Sequence, residues 1–196
     1  MAGKPKGDKR ARTRAALINA AAAVIAEKGH ERMSLEEVAG RAGMTRGAIY
    51  GNFKDKDELI LGVMRSRWRP ISVLPKEGAT FAEQMRLSGE ALAAAMADRT
   101  GRAKQALSFQ LYAADHPEIR RRFAELNADI YRRMAEFLAA RFAGQLPMPA
   151  DRLVRALHAL SDGLVYARAM NPKEFGDDVI VAAFEAFANL PVKKQR

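Results

Sequence analysis

The sequence contains no cysteine in 196 residues. This excludes a disulfide framework, a thiolate zinc site and a cysteine nucleophile, and it argues against a small secreted scaffold, so the reducing cytoplasm is the expected compartment. A long hydrophobic run is also missing. The longest uncharged stretch, Ala15 to Ala26, has 12 residues and includes Asn19, short of the roughly 18 that a spanning helix needs, and no membrane partner is expected. That stretch follows a basic one and so imitates a secretory leader. Leu17, Ile18, Val24 and Ile25 nevertheless fall at helical spacing, and the run ends in Glu27-Lys28-Gly29, which predicts an ordinary amphipathic helix. Histidine is scarce. His30, His116 and His158 form no H-E-x-x-H or other tight metal spacing, and no metal is expected. His158 and Asp162 lie four apart on one predicted helix and can bond each other or a polar ligand group. With no G-x-S-x-G, P-loop or G-x-G-x-x-G in the chain, neither an enzyme nor a cofactor is expected.

What is present is positive charge. Lys and Arg number 33 against 23 Asp and Glu, a net +10, while 48% of residues are hydrophobic, the balance of a basic globular protein. The excess is local, because residues 1–70 hold 15 basic and 8 acidic residues and so carry +7 of it. Its densest part is Lys4, Lys6, Lys9, Arg10, Arg12 and Arg14 against Asp8 alone, with Gly3, Pro5 and Gly7 predicting a flexible basic arm over residues 1–13. Such an arm can follow a phosphate backbone or serve only as a solvated tail.

Apolar residues recur at spacings of three and four almost throughout, and no stretch alternates long enough for a strand, so the predicted fold is all-α. Ser34-Leu35-Glu36-Glu37 and Thr80-Phe81-Ala82-Glu83 match the S/T-x-x-E capping box, and Asp55-Lys56-Asp57-Glu58 is its aspartate analogue. Gly29, Gly43 and Gly144 stand where helices would stop, and Pro70, Pro75, Pro147, Pro149 and Pro172 punctuate connections. About nine helices follow: Arg12 to Lys28, Leu35 to Arg41, Arg46 to Gly51, Lys56 to Trp68, Phe81 to Asp98, Arg102 to Ala114, Pro117 to Ala143, Ala150 to Met170 and Pro172 to Leu190. Short early helices and long later ones suggest a small N-terminal module joined to a larger helical body.

The informative segment is SLEEVAGRAGMTRGAIYGNF, Ser34 to Phe53. Leu35, Val38, Ala39 and Ala42 form one apolar stripe, and Gly43 can take the positive φ of a tight turn. Thr45 can then cap a second helix that buries Ile49 and Phe53. This is helix-turn-helix architecture, homeodomain-like in its module size. The second helix of that motif inserts its start into the major groove and needs small or hydrogen-bonding side chains there, as Thr45, Arg46, Gly47 and Ala48 are.

Continued by Lys54-Asp55-Lys56-Asp57-Glu58-Leu59, the segment resembles the DNA-binding signature of TetR-type (tetracycline-repressor-like) transcriptional regulators. The likeness covers Arg14 to about Leu61. It implies a helix-turn-helix domain over 14–60 and an effector-binding and dimerisation domain over 61–196. It further implies that Thr45, Arg46 and Ala48 face base edges, with Gly47 allowing close approach, and that Tyr50 and Lys56 contact phosphates. Ser34 would cap its helix and touch the DNA backbone, and Lys54 joins the same set. Gly51-Asn52 and Met44 depart from the commonest pattern. Asn52 can reach a phosphate, bond an adenine edge or face water.

In the body, Ile119, Phe123, Leu126, Ile130, Met134 and Phe137 repeat at helical spacing, and so do Leu153, Leu157, Leu160 and Leu164, then Ile180, Phe184 and Phe187. The resemblance implies that the last two helices pair with their copies in a homodimer, through Leu153, Leu157, Leu160, Leu164, Ile180, Phe184 and Phe187. The same stripes can also pack within one chain. Trp68, Met85, Leu92, Met96, Phe109, Tyr112, Phe123, Tyr131, Met134 and Tyr166 form the pool from which a pocket for a small-molecule effector would be built, though each suits ordinary packing equally well. The expected function is a ligand-responsive regulator, usually a repressor, that binds a palindromic double-stranded DNA operator and is released by a small, largely hydrophobic effector. The alternative is a helical ligand-binding or adaptor module whose basic tail meets acidic partners or an anionic membrane surface; it predicts no salt-sensitive binding to duplex DNA.

Overall fold

The computed structural model describes residues 6–67, 78–97 and 100–192. Trp68, Pro70, Pro75, Asp98 and the first five residues of the arm lie outside them. The described residues form nine helices and no strand: α1 (Lys6–Arg32), α2 (Leu35–Arg41), α3 (Arg46–Tyr50), α4 (Lys56–Arg67), α5 (Phe81–Ala97), α6 (Thr100–Asp115), α7 (Pro117–Arg141), α8 (Ala150–Met170) and α9 (Asp177–Ala188). Among them no helix is long and apolar enough to cross a membrane.

Local chemistry sets most of these boundaries. Ser34 Oγ accepts from the Glu37 amide at 3.1 Å, and Thr45 Oγ1 from the Ala48 amide at 3.3 Å. At the start of α5 the capping box is reciprocal, with Glu83 N donating to Thr80 Oγ1 at 3.2 Å and Thr80 N to Glu83 Oε2 at 2.8 Å. Two expectations need correction. Helix α1 begins at Lys6, so residues 6–13 of the predicted flexible arm are helical, because Lys, Arg and Ala are strong helix formers that outweigh Gly7. Its regular part still ends at Gly29, whose φ of 81° breaks the helix before one further turn. Helix α9 starts at Asp177 instead of Pro172. Glu174 N and Phe175 N both turn back to the Asn171 carbonyl, and Gly176 then provides an extended N-cap.

The chain divides into two compact units, Met1–Arg69 with Gln105–Phe123, and Pro70–Lys104 with Ala124–Arg196. In the first, Leu17, Val24 and Ile25 of α1 are buried, as are Leu35, Val38, Ile49, Phe53, Leu59, Ile60 and Val63. Gly62 lets α4 approach closely, since a Cβ there would meet the Phe53 ring at 3.3 Å and Ile18 at 3.5 Å. Gln105–Phe123, expected in the body, contributes buried Phe109, Tyr112 and Ile119 to this unit. A helical apolar stripe reveals that a face is buried without revealing against what.

The second unit has its own core, built from Phe81, Met85, Leu92, Met96, Leu138, Phe142, Leu153, Val154, Leu164, Ile180 and Phe184. Helices α5 and α9 cross closely at Gly89, where an added Cβ would lie 2.8 Å from the Val181 Cα. Leu153, Leu164, Ile180 and Phe184, four of the seven residues expected at a dimer interface, are therefore spent on the chain's own core. Leu157, Leu160 and Phe187 are only partly buried against it.

Candidate nucleic-acid interface

The surface that matters is assembled by α2, the turn after it and α3. Helix α2 is closed by Ala42 as its C-cap. Gly43, with φ 63°, then lets Gly43 N reach the Gly40 carbonyl at 3.0 Å and Met44 N the Ala39 carbonyl at 2.9 Å, the paired bonds of a Schellman stop. Directly afterwards Thr45 caps α3. Ile49 is fully buried and Phe53 nearly so, which anchors α3 by one face and leaves the other outward.

On the outward face Thr45, Arg46, Gly47 and Tyr50 are exposed, as are Ser34 and Lys54, while Ala48 is half-buried. A Cβ on Gly47 would meet only Thr45 Oγ1, at 3.9 Å. No internal contact requires glycine there, although glycine costs a helix roughly 0.5–1 kcal/mol relative to alanine. Arg46 extends over Tyr50, its guanidinium carbon 5.6 Å from the ring centroid, a cation–π distance.

Two residues of the expected set bond to the protein's own backbone. The Asn52 amide donates to the Ala48 carbonyl at 2.8 Å, and its Oδ1 is buried. Lys56 Nζ donates to the Glu31 carbonyl at 2.7 Å. It thus closes the end of α1 with a charged side chain, where the helix dipole favours a cation.

Arg14 ties this surface to the core. Its guanidinium donates to the Asn52 carbonyl, pairs with Glu58 at 3.0 Å and lies 4.1 Å from the Phe53 ring centroid. Glu58 in turn accepts from the Lys54 amide at 2.8 Å, and that bond, with Arg14, holds its carboxyl below the usual range. The loop between α3 and α4 is therefore fixed from both sides. In the sequence Arg14 stands in the basic stretch and at the start of the resemblance, and neither place reveals this clamp, because its partners lie 38 and 44 residues away. Glu36 stands in the capping box of α2, which does not reveal its partners on α3. Its carboxylate accepts from Tyr50 Oη at 3.2 Å and pairs with Arg46 at 3.3 Å.

The candidate effector residues fall in two places. Met85, Leu92 and Met96 are in the core of the second unit, with Tyr131 and Met134 packed against it. There His158 lies 3.5 Å from Asp162, with the Tyr131 ring edge-on at 5.4 Å, and burial raises the Asp162 carboxyl above its ordinary range. Tyr166, with a buried hydroxyl, is half-buried on α8. Phe109, Tyr112 and Phe123 instead belong to the first unit. Phe109 meets Phe123 edge-on at 5.0 Å, and Phe109 and Tyr112 both pack on His30, at 5.9 and 5.3 Å.

Residues 17–63 match the family described as bacterial regulatory proteins, tetR family, and residues 81–190 match the C-terminal region of the BetI-type transcriptional repressor. The HTH-type transcriptional regulator TtgR of Pseudomonas putida is 30% identical over 164 residues, 78% of each chain. Shorter matches to SrpR and TtgW of the same species, each 38% identical over 61 residues, span 29% and 46% of those proteins. Among solved structures, a transcriptional regulator from Rhodococcus sp. Rha1 superposes with a TM-score of 0.65 at 25% identity, over 90% of this chain and 94% of that one. NalD, the secondary repressor of the MexAB-OprM multidrug efflux pump in Pseudomonas aeruginosa, gives 0.58 at 26% identity, over 91% and 95%. The capped α2, the Schellman turn, the exposed start of α3 and matches that together reach from residue 17 to residue 190 lead to one conclusion: this chain belongs to the tetR family of bacterial regulatory proteins, a family of DNA-binding transcriptional regulators.

Proposed function

We propose that the protein is a cytoplasmic, ligand-responsive repressor that binds a palindromic operator as a homodimer through α3 and is released by a small, largely hydrophobic effector. The observation that carries the DNA-binding part is the outward face of α3. Thr45, Arg46, Gly47 and Tyr50 are exposed together on a helix anchored from behind by Ile49, and Gly47 has no internal reason to be glycine. Arg46 is the base reader, suited to the paired acceptors of guanine in the major groove, and Tyr50, Lys54 and Ser34 position the helix on phosphates. A two-fold dimer would place two such helices one turn of DNA apart, about 34–36 Å, so a small effector-driven change in their spacing suffices to lose the operator.

The effector part rests on the Met-rich core of the second unit, which suits adaptable apolar binding, and on likeness to NalD, which represses a multidrug efflux pump. Dimerisation would use the partly exposed Leu157, Leu160 and Phe187 with exposed Val179. The test is selection of bound fragments from sheared genomic DNA, followed by titration of apolar compounds against the recovered duplex. An enriched palindrome whose complex dissociates with one compound class supports the whole reading. Absence of any enrichment from a folded protein at low salt overturns it.

A further inference from the structure

Glu36 lies on α2 away from the buried Leu35, Val38 and Ala39, and is exposed. Its carboxylate reaches across to α3, where it meets both Tyr50 Oη and Arg46 Nη2 within 3.3 Å, while Arg46 also lies over the Tyr50 ring. The three side chains close a triangle on the face that carries the candidate DNA contacts. The neighbouring Glu37 has a partner of its own, Lys28, at 2.5 Å. The Glu36 carboxyl is held below the usual range by its own backbone amide, then by Tyr50 and Arg46, and is ionised at neutral pH.

An ionised carboxylate is an odd occupant for a surface that meets a polyanion. Phosphate binding gains from every neutralised charge and is opposed by each fixed negative charge beside it. The arginine fork offers five N–H donors, and the Glu36 carboxylate stands at Nη2, which carries two of them. The second N–H of Nη2 and those of Nη1 leave a pair of donors for a two-point bond to guanine. A phosphate, by contrast, must approach the carboxylate or draw Arg46 away from it.

Resting on the DNA-binding reading above, we propose that Glu36 is a selectivity residue: it holds Arg46 and Tyr50 in a preset arrangement that accepts a base edge and discourages indiscriminate phosphate contact. It acts through Arg46 and is a positioning residue, not a base reader.

The test uses the full chain. Wild-type protein selects a duplex from a random-sequence library. The affinity of that duplex and of a scrambled duplex of equal composition is then measured at about 50 and about 200 mM salt, a range over which phosphate contacts weaken steeply. Glu36→Gln is expected to tighten the scrambled duplex about tenfold and to change the selected one less than about threefold, so that discrimination falls; the missing repulsion also steepens the salt dependence. On an Arg46→Ala background the same substitution should no longer alter discrimination. Glu36 is exposed, and an unchanged thermal midpoint is expected of the variant. Equal tightening of both duplexes, no change in either, or a loss of discrimination that survives Arg46→Ala would each overturn the proposal while leaving DNA binding intact. If the wild-type protein selects no duplex, both readings fall together.

Discussion

The imidazole of His30 lies stacked on the ring of Tyr112, with centroids 5.3 Å apart and planes at 23°, and its Nδ1 stands 3.2 Å from Ser108 Oγ. The pair joins the end of α1 to α6 across just over eighty residues of sequence. Tyr112 continues the stack onto His116 at 3.8 Å, and His116 Nδ1 donates to the Tyr112 carbonyl at 2.7 Å while its Nε2 lies 3.5 Å from Glu31. The same burial pushes the Tyr112 phenol up to about 12.

Burial first, and then the Lys56 charge, push His30 down from the ordinary 6.5 to about 4. The folded protein therefore binds fewer protons at this site than the unfolded chain between those two values. Stability contributed by neutral His30 is fully present above about pH 6.5 and is lost as pH falls toward about 4. After allowance for solvent screening, the loss is on the order of 1–2 kcal/mol. Thermal unfolding at pH 7 and pH 5 should show a larger drop for wild type than for His30→Gln, which cannot titrate. Equal drops would remove His30 as the cause.

Arg14 makes a second, independent clamp. Arg14→Ala strips the donor from the Asn52 carbonyl, the cation from Glu58 and the cover from Phe53, at a cost of about 1–3 kcal/mol. Arg14→Lys keeps the charge without the planar fork and is expected to recover less than half of that loss. Denaturant midpoints of the three proteins decide the matter.

Gly89 and Gly163 give a matched contrast in the second unit. Gly89→Ala drives a methyl into the α9 backbone at Val181, and overpacking of this kind costs about 1–3 kcal/mol. Gly163 has nothing within 4 Å, so Gly163→Ala should be neutral or stabilising by up to about 1 kcal/mol through helix propensity. Urea unfolding of both variants, with opposite signs, is the expected outcome.

Arg46→Ala and Tyr50→Phe separate reading from positioning. Arg46→Ala is expected to weaken a selected duplex by about 1–3 kcal/mol and to relax sequence preference, whereas Tyr50→Phe should weaken selected and scrambled duplexes alike. Fluorescence anisotropy with the two duplexes measures both effects. Equal loss on both duplexes for Arg46→Ala would contradict base reading by that residue.

What the sequence determined by itself was set mostly by neighbours within about one helical turn, the starts of α1 and α9 excepted. The caps at Ser34, Thr45 and Thr80, the stop at Gly43 and the buried stripe of α2 each depend on bonds or contacts no more than a few residues apart, and so the helix-turn-helix was legible before any coordinates. The tertiary structure decided which buried faces meet. It placed Phe109 and Tyr112 beside His30, with Phe123 edge-on to Phe109, and it turned Leu153, Ile180 and Phe184 into the core of one chain. It also brought Arg14 to Asn52 and Glu36 to Arg46. Helical periodicity carries the direction of an apolar face but no address for its partner, and a charged side chain on a helix surface carries neither. Those pairings arise only when separate helices pack, because their free energy comes from surfaces that the linear chain does not place side by side.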